Sequence, residues 1–148
     1  MSNPETAPAL CASSLDKASD LSFRDSIQQF FSDYRTVYSR LDVDGVTAYF
    51  ALPFTAFHHG EPSSWNEREA DLLYAVTDSL LNYFRTQNVV DISGTLGSVL
   101  PMGNNMASAI MTWTARRQDE TAWVFNTGYH LVRTAAGWKI YGVIQFDE

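Results

Sequence analysis

Residues 106–147 read MASAIMTWTARRQDETAWVFNTGYHLVRTAAGWKIYGVIQFD. Three long runs rich in Val, Ile, Thr, Trp, Phe and Tyr are separated by Arg117-Gln118-Asp119-Glu120 and by Thr134-Ala135-Ala136-Gly137. β-Branched and aromatic runs interrupted by short polar or Gly-bearing breaks predict three strands joined by tight turns. Upstream, Val89 to Leu100 has the same content, loosened by Gly94 and Gly97, which in a long strand mark a bulge or bend. The turn 101–105 (Pro-Met-Gly-Asn-Asn) leads from it into the final three strands.

The part before these strands has helical periodicity. Ser22 is a suitable N-cap, with Asp25 at the positive helix end. Ile27, Phe31, Tyr34, Tyr38 and Leu41 then recur on one face, widened by Phe23, Phe30 and Val37, until Asp42-Val43-Asp44-Gly45 breaks the helix. A short second helix is expected from Val46 to Leu52, stopped by Pro53. Residues 54–59 have strand content, and Gly60-Glu61-Pro62 turns the chain. Ser64-Trp65-Asn66-Glu67 has the spacing of a capping box and predicts a third helix to about Arg85, with Leu73, Val76, Leu80 and Phe84 inward and Leu72 and Tyr83 at the margins.

Helices followed by an antiparallel meander predict an α+β roll, in which a strongly curved sheet wraps the long helix and leaves a conical space. Spaces of that kind are the usual place for small-molecule sites. At 148 residues the chain is one domain. Residues 1–20 are small and polar without a sustained period, and are expected to form a disordered tail before a domain over 21–148.

A net charge of −7, with basic residues scattered apart from Arg116-Arg117, argues against nucleic acid and anionic membrane partners. The expected partner is a small apolar or weakly polar molecule, or another protein chain. The single Cys11 permits no intramolecular disulfide, and no Cys/His spacing suggests a metal site. No run approaches the ~20 apolar residues of a membrane span, and no signal peptide is recognisable. The expectation is a soluble cytoplasmic protein without cofactor or metal.

The long helix ending in Leu41-Asp42-Val43-Asp44-Gly45, the following Ala51-Leu52-Pro53-Phe54, and the closing Tyr129-His130-Leu131-Val132-Arg133 and Gly137-Trp138-Lys139-Ile140 resemble the NTF2-like superfamily, also called cystatin-like or SnoaL-like. The resemblance covers residues 21–146. It implies a conical roll with three N-terminal helices packed on a mainly antiparallel sheet, and commonly a homodimer through the outer sheet face. It leaves activity open, since the superfamily holds isomerases, dehydratases, cyclases and non-catalytic modules. Laid on the ketosteroid-isomerase pattern, whose Asp base and Tyr/Asp oxyanion donors are a worked case, the base position falls near His58. The oxyanion Asp falls near Thr127, and the Tyr near Val37, beside Tyr38; none of the three is kept.

Two functions therefore stand side by side. One is a ligand-binding cone, catalytic if His58 acts as base and Tyr34 or Tyr38 as donor, in a cofactor-free isomerisation, dehydration or cyclisation. By the alignment His58 faces the cavity and His59 the outside. Phe54, Trp65, Thr127 and Tyr129 are the expected ligand contacts, with Trp65 lidding the mouth. The other is a non-catalytic dimerisation module whose cone is packed shut. On strand parity Asn126 and His130 belong to the outer sheet face, and Trp113, Trp123 and Trp138 are expected to pack on or cover that face rather than bind a cofactor.

Overall fold

The computed structural model describes residues 6–146. Helix α1 (Thr6–Ser39) is followed by α2 (Val43–Thr47), strands β1 (Phe50–His58) and β2 (Glu61–Trp65), helix α3 (Ala70–Thr86), and strands β3 (Val89–Pro101), β4 (Met106–Arg117), β5 (Ala122–Thr134) and β6 (Gly137–Phe146). The strands form one curved sheet in the order β2-β1-β6-β5-β4-β3, antiparallel throughout except where β1 runs parallel to β6. This is the α+β cone expected from the order of elements. Among the described residues no helix is long and apolar enough to cross a membrane.

Helix α1 buries Ile27, Phe30, Phe31, Tyr34 and Tyr38 against the sheet, so the periodic stripe is the packed face. Its start differs from expectation. The helix runs back to Thr6, through most of the segment read as a disordered tail, and Ser22 is interior to it rather than a cap. Ala7, Ala9, Leu10, Ala12, Leu15 and Ala18 favour helix by intrinsic propensity, which needs no apolar periodicity. Residues 1–5 of that segment lie outside the described residues. At the other end Leu41 takes a positive φ of 55°. Its N–H donates to the Tyr38 carbonyl at 3.0 Å, and the Asp42 N–H to that of Val37 at 3.1 Å. This pair of bonds is a Schellman closure, which satisfies carbonyls that the helix end leaves open. Asp42 then caps the next helix, its carboxylate accepting the Gly45 N–H at 3.1 Å. That cap starts α2 earlier than expected, and residues 50–52 belong to β1 instead.

Strand β1 continues into β2 through His59 and Gly60, both at positive φ (50° and 86°), the left-handed pair that suits a two-residue hairpin turn. The capping box expected at Ser64 does not form: Ser64 and Trp65 close β2, α3 begins at Ala70 without a side-chain cap, and Asn66 and Glu69 instead bond within the turn before it. The Asn66 side chain accepts the Arg68 N–H, and Glu69 accepts the Asn66 N–H, both at 2.9 Å. Helix α3 buries Leu73, Thr77, Leu81 and Phe84, whereas Val76 and Leu80, expected inward, are about half exposed. Thr77 is tolerated inside because its hydroxyl donates to the Leu73 carbonyl at 2.8 Å.

Strand β4 presents Ala107, Ala109, Met111, Trp113 and Ala115 inward. The small residues on that face leave one large slot, filled by Trp113. Gly94, directly opposite Trp113 in the register, completes it. Gly97 lies in the β3 bulge between Leu96 and Val99. Helix α1 is tied to β3 by Arg35, which donates to the Ile92 carbonyl (2.7 Å) and the Asp91 carboxylate (2.9 Å), and by Arg24, which donates to the Gly97 carbonyl at 2.9 Å.

Candidate functional site

Between α1, α3 and the concave sheet face lies a cavity of about 160 Å³. Strand parity decides which residues reach it. On β5, Phe125, Thr127 and Tyr129 point in, while Asn126 and His130 point away. On β1, Phe54 and Ala56 point in. On β6 the alternation reverses at Tyr141, an extra residue between the rungs Leu131–Ile140 and His130–Gly142. Ile140 is therefore inward, yet so are Val143 and Gln145. Helix α1 contributes Tyr34 and Tyr38, and α3 contributes Leu73, Val76, Thr77 and Leu80 among others.

The inner end is a cluster of phenols. The Trp113 indole N–H donates to the Tyr129 hydroxyl at 2.9 Å, deep in the core. Tyr34 lies 6.3 Å ring to ring from Tyr129 and 5.5 Å from Tyr38. Burial raises the Tyr129 phenol far above its usual range, more than the Trp113 N–H and the Thr127 hydroxyl bring it down. Burial also raises Tyr34 and Tyr38, and the neighbouring Tyr129 raises both further. All three are un-ionised at any ordinary pH.

An indole can only donate, so the Tyr129 O–H is not used in its bond with Trp113. Every fully enclosed side-chain nitrogen and oxygen among the described residues has a partner. The Tyr34 and Tyr38 hydroxyls make no hydrogen bond among the described residues, so their oxygens border the cavity itself. The rest of the wall is apolar apart from Thr77, Thr127 and Gln145, and no Asp, Glu, His, Lys, Arg or Cys lines it.

The structure thus brings Tyr34, Tyr38, Phe54, Trp65, Thr127 and Tyr129 around one space. His58 is not with them. It has the parity of Phe54 and Ala56, but it is the last residue of β1, exposed beyond the wall, with its ring 4.3 Å from that of His59. The expectation that it faces the cavity fails because the strand ends at the hairpin. Trp65 lines the mouth from the end of β2, not from a helix.

The tryptophans also depart from expectation, since all three lie on the helix side of the sheet. Trp113 is fully buried and Trp138 donates to the Ser26 hydroxyl at 3.2 Å. Trp123 sits 5.8 Å from the Phe84 ring, under the Arg117 guanidinium. The outer face carries Asn126, which accepts from Thr112 at 2.9 Å, and His130, bonded through Nδ1 to Ser108 at 3.0 Å. Trp113 was legible in retrospect, because the small-residue alternation Ala107, Ala109, Ala115 has its parity. Val143 and Gln145 were not, since a bulge leaves no compositional mark.

Solved structures share this architecture. An NTF2-like protein of unknown function from Shewanella oneidensis MR-1 superposes with a TM-score of 0.68 at 15% identity, over 84% of this chain and 98% of that one. A cystatin-like-fold domain of unknown function from Nostoc punctiforme PCC 73102 gives 0.65 at 14%, over 84% and 76%. A ketosteroid isomerase-like protein from Erwinia carotovora atroseptica SCRI1043 gives 0.58 at 16%, over 84% and 96%. At such identities the likeness is one of fold. No curated protein matches significantly. The family model described as "NTF2-like protein (DUF6841)" matches residues 24–148, from the first packed turns of α1 onward, and the chain belongs to that family.

Proposed function

We propose that this domain binds, without transforming it, a small neutral molecule that places a hydrogen-bond acceptor oxygen against Tyr129 and an apolar body against the aromatic wall. The observation that carries this is the Tyr129 hydroxyl. Its oxygen accepts from Trp113, its own proton is not used in that bond, and Tyr34 and Tyr38 add two more hydroxyls on the same wall. The size fits a single ring: an engineered apolar cavity of about 150 Å³ holds benzene. A neutral ligand is favoured because no cationic side chain lines the space to balance a carboxylate.

Binding is favoured over proton-transfer catalysis for a related reason. A general base must be unprotonated at working pH and within reach of the substrate. The phenols in the cavity are un-ionised, and His58, the base expected from the resemblance, stands outside.

Matched one-ring probes test this by calorimetry. Acetophenone is expected to bind on the order of tenfold more tightly than ethylbenzene, the worth of one hydrogen bond. That preference should disappear in Tyr129→Phe and persist in His58→Ala. Benzoate should bind more weakly than acetophenone. Equal affinity for ketone and hydrocarbon, or loss of ketone binding in His58→Ala, would refute the assignment.

A further inference from the structure

Two cavity residues belong to a second set. Val76 and Leu80 line the cavity, and along α3 they continue a stripe formed by Leu72, Val76, Leu80 and Tyr83. The spacing i, i+4, i+8, i+11 keeps the four on one side of a helix. They are 56%, 50%, 46% and 54% exposed, so the stripe is an open apolar strip and not part of the core. At a rise of 1.5 Å per residue it is about 16 Å long. Its outer margin, Ala75, Ser79, Asn82 and Thr86, carries no charge of its own; Asp71, Asp78 and Arg85 lie beyond it beside Tyr74, and the Asn82 amide bonds to both Asp78 and Arg85.

An apolar surface therefore runs without a break from the cavity wall out along the helix. We propose that the natural ligand is longer than the cavity: an amphiphile whose compact, carbonyl-bearing ring fills the cone and whose unbranched apolar tail lies along Leu72, Val76, Leu80 and Tyr83. This rests on the ligand-binding assignment above and specifies the part of the molecule that leaves the cavity. The shared residues Val76 and Leu80 favour a ligand tail over a docked protein, since whatever covers the strip is continuous with whatever fills the cone. The strip itself consists of Leu, Val, Leu and Tyr with no charged member, which fits a hydrocarbon.

The probes are the n-alkyl phenyl ketones from acetophenone to octanophenone, titrated calorimetrically into the full chain. Burying a methylene is worth roughly a two- to fourfold gain in affinity. The expected result is a steady rise of that size per added methylene, continuing well beyond the shortest members. The double variant Leu72→Ser/Tyr83→Ser alters only exposed residues that do not line the cavity. It should leave acetophenone affinity within twofold and flatten the rise for the longer ketones.

A flat series in the native chain, with acetophenone still bound, overturns the tail and spares the cavity assignment. A rise that survives the double variant places the tail elsewhere and also overturns it. Failure of every ketone to bind removes the cavity assignment and this inference together. If the native chain sediments as an oligomer that the double variant dissolves, the strip is an interface between copies and the proposal falls.

Discussion

Replacing Tyr129 by phenylalanine removes one oxygen atom and keeps the ring. The contacts with Phe31 at 5.0 Å and Tyr34 at 6.3 Å, centroid to centroid, are retained. What is lost is the acceptor of the Trp113 N–H, a 2.9 Å bond inside a side chain that is fully buried. Leaving a buried donor unpaired costs about 1–3 kcal/mol, more than the net worth of the bond itself. A loss near 2 kcal/mol corresponds to a fall in Tm of roughly 4–8 °C for a domain of this size. Urea unfolding measures it as a lower midpoint at unchanged slope. Trp113→Phe and the double variant complete a cycle. The double variant should lose about 1 kcal/mol less than the sum of the singles, because the second substitution removes the orphaned group. A cost below about 0.5 kcal/mol for Tyr129→Phe, or strict additivity in the cycle, would show that the Trp113–Tyr129 bond does not hold the cluster in place.

Two further outcomes follow from the same core. A methyl group at Gly94 would stand 2.6 Å from two carbons of the Trp113 ring and 2.7 Å from Met111 Cε. Gly94→Ala is therefore expected to cost about 1–3 kcal/mol in chemical unfolding, whereas Gly128→Ala, whose added carbon meets nothing closer than 3.7 Å, should stay within about 0.5 kcal/mol. Alkaline pH should unfold the protein through its phenols. Tyr34, Tyr38 and Tyr129 hold their protons in the folded state beyond the pH at which free tyrosine loses them, near 10. The unfolded chain then binds fewer protons than the folded one. Stability is intact below pH ~10 and falls above it, by up to about 1.4 kcal/mol per pH unit for each phenol. Near-ultraviolet titration should show these three of the seven tyrosines ionising only as the near-ultraviolet circular dichroism is lost. Tyr74, raised by its hydrogen bond to the Asp44 carboxylate, titrates late as well but without that loss.

The fold was largely legible because its main elements carry one unambiguous period each. The stripe Ile27, Phe31, Tyr34, Tyr38 allows only one face of α1 to be buried, and the final strands begin and end at breaks that composition alone marks. Helix α3 has two apolar flanks, Leu73/Thr77/Leu81/Phe84 and Leu72/Val76/Leu80/Tyr83, with the same spacing. Periodicity alone does not separate them, and the expected inward set, Leu73, Val76, Leu80 and Phe84, mixes the two. The fold buries the first, because the Thr77 hydroxyl is satisfied within its own helix. The candidate site was half legible for a comparable reason. Parity puts Phe54, Thr127 and Tyr129 on inward faces, but parity does not say where a strand ends relative to a cavity wall. His58 has the right parity and lies one step too far along. Behind the cavity wall, the Tyr129 hydroxyl accepts from Trp113, a residue expected only to pack on or cover the sheet.

The parallel pairing of β1 with β6 has a kinetic consequence. Phe54 and Ala56 line the cavity from β1, which is locked in place by rungs such as Ala56–Val143 and His58–Gln145. Those partners are separated by most of the chain. The loop closure joining them must be made after the local hairpins β3–β4 and β4–β5, which enclose short loops and form early. During synthesis the β1–β2 hairpin has no further strand to pair with until residues 140–145 have emerged. Its apolar inner face stays uncovered for that interval, together with the flank of α3 that faces it. The cavity is thus the last part of the domain to come into existence, and its β1 wall depends on β6 to be set in place.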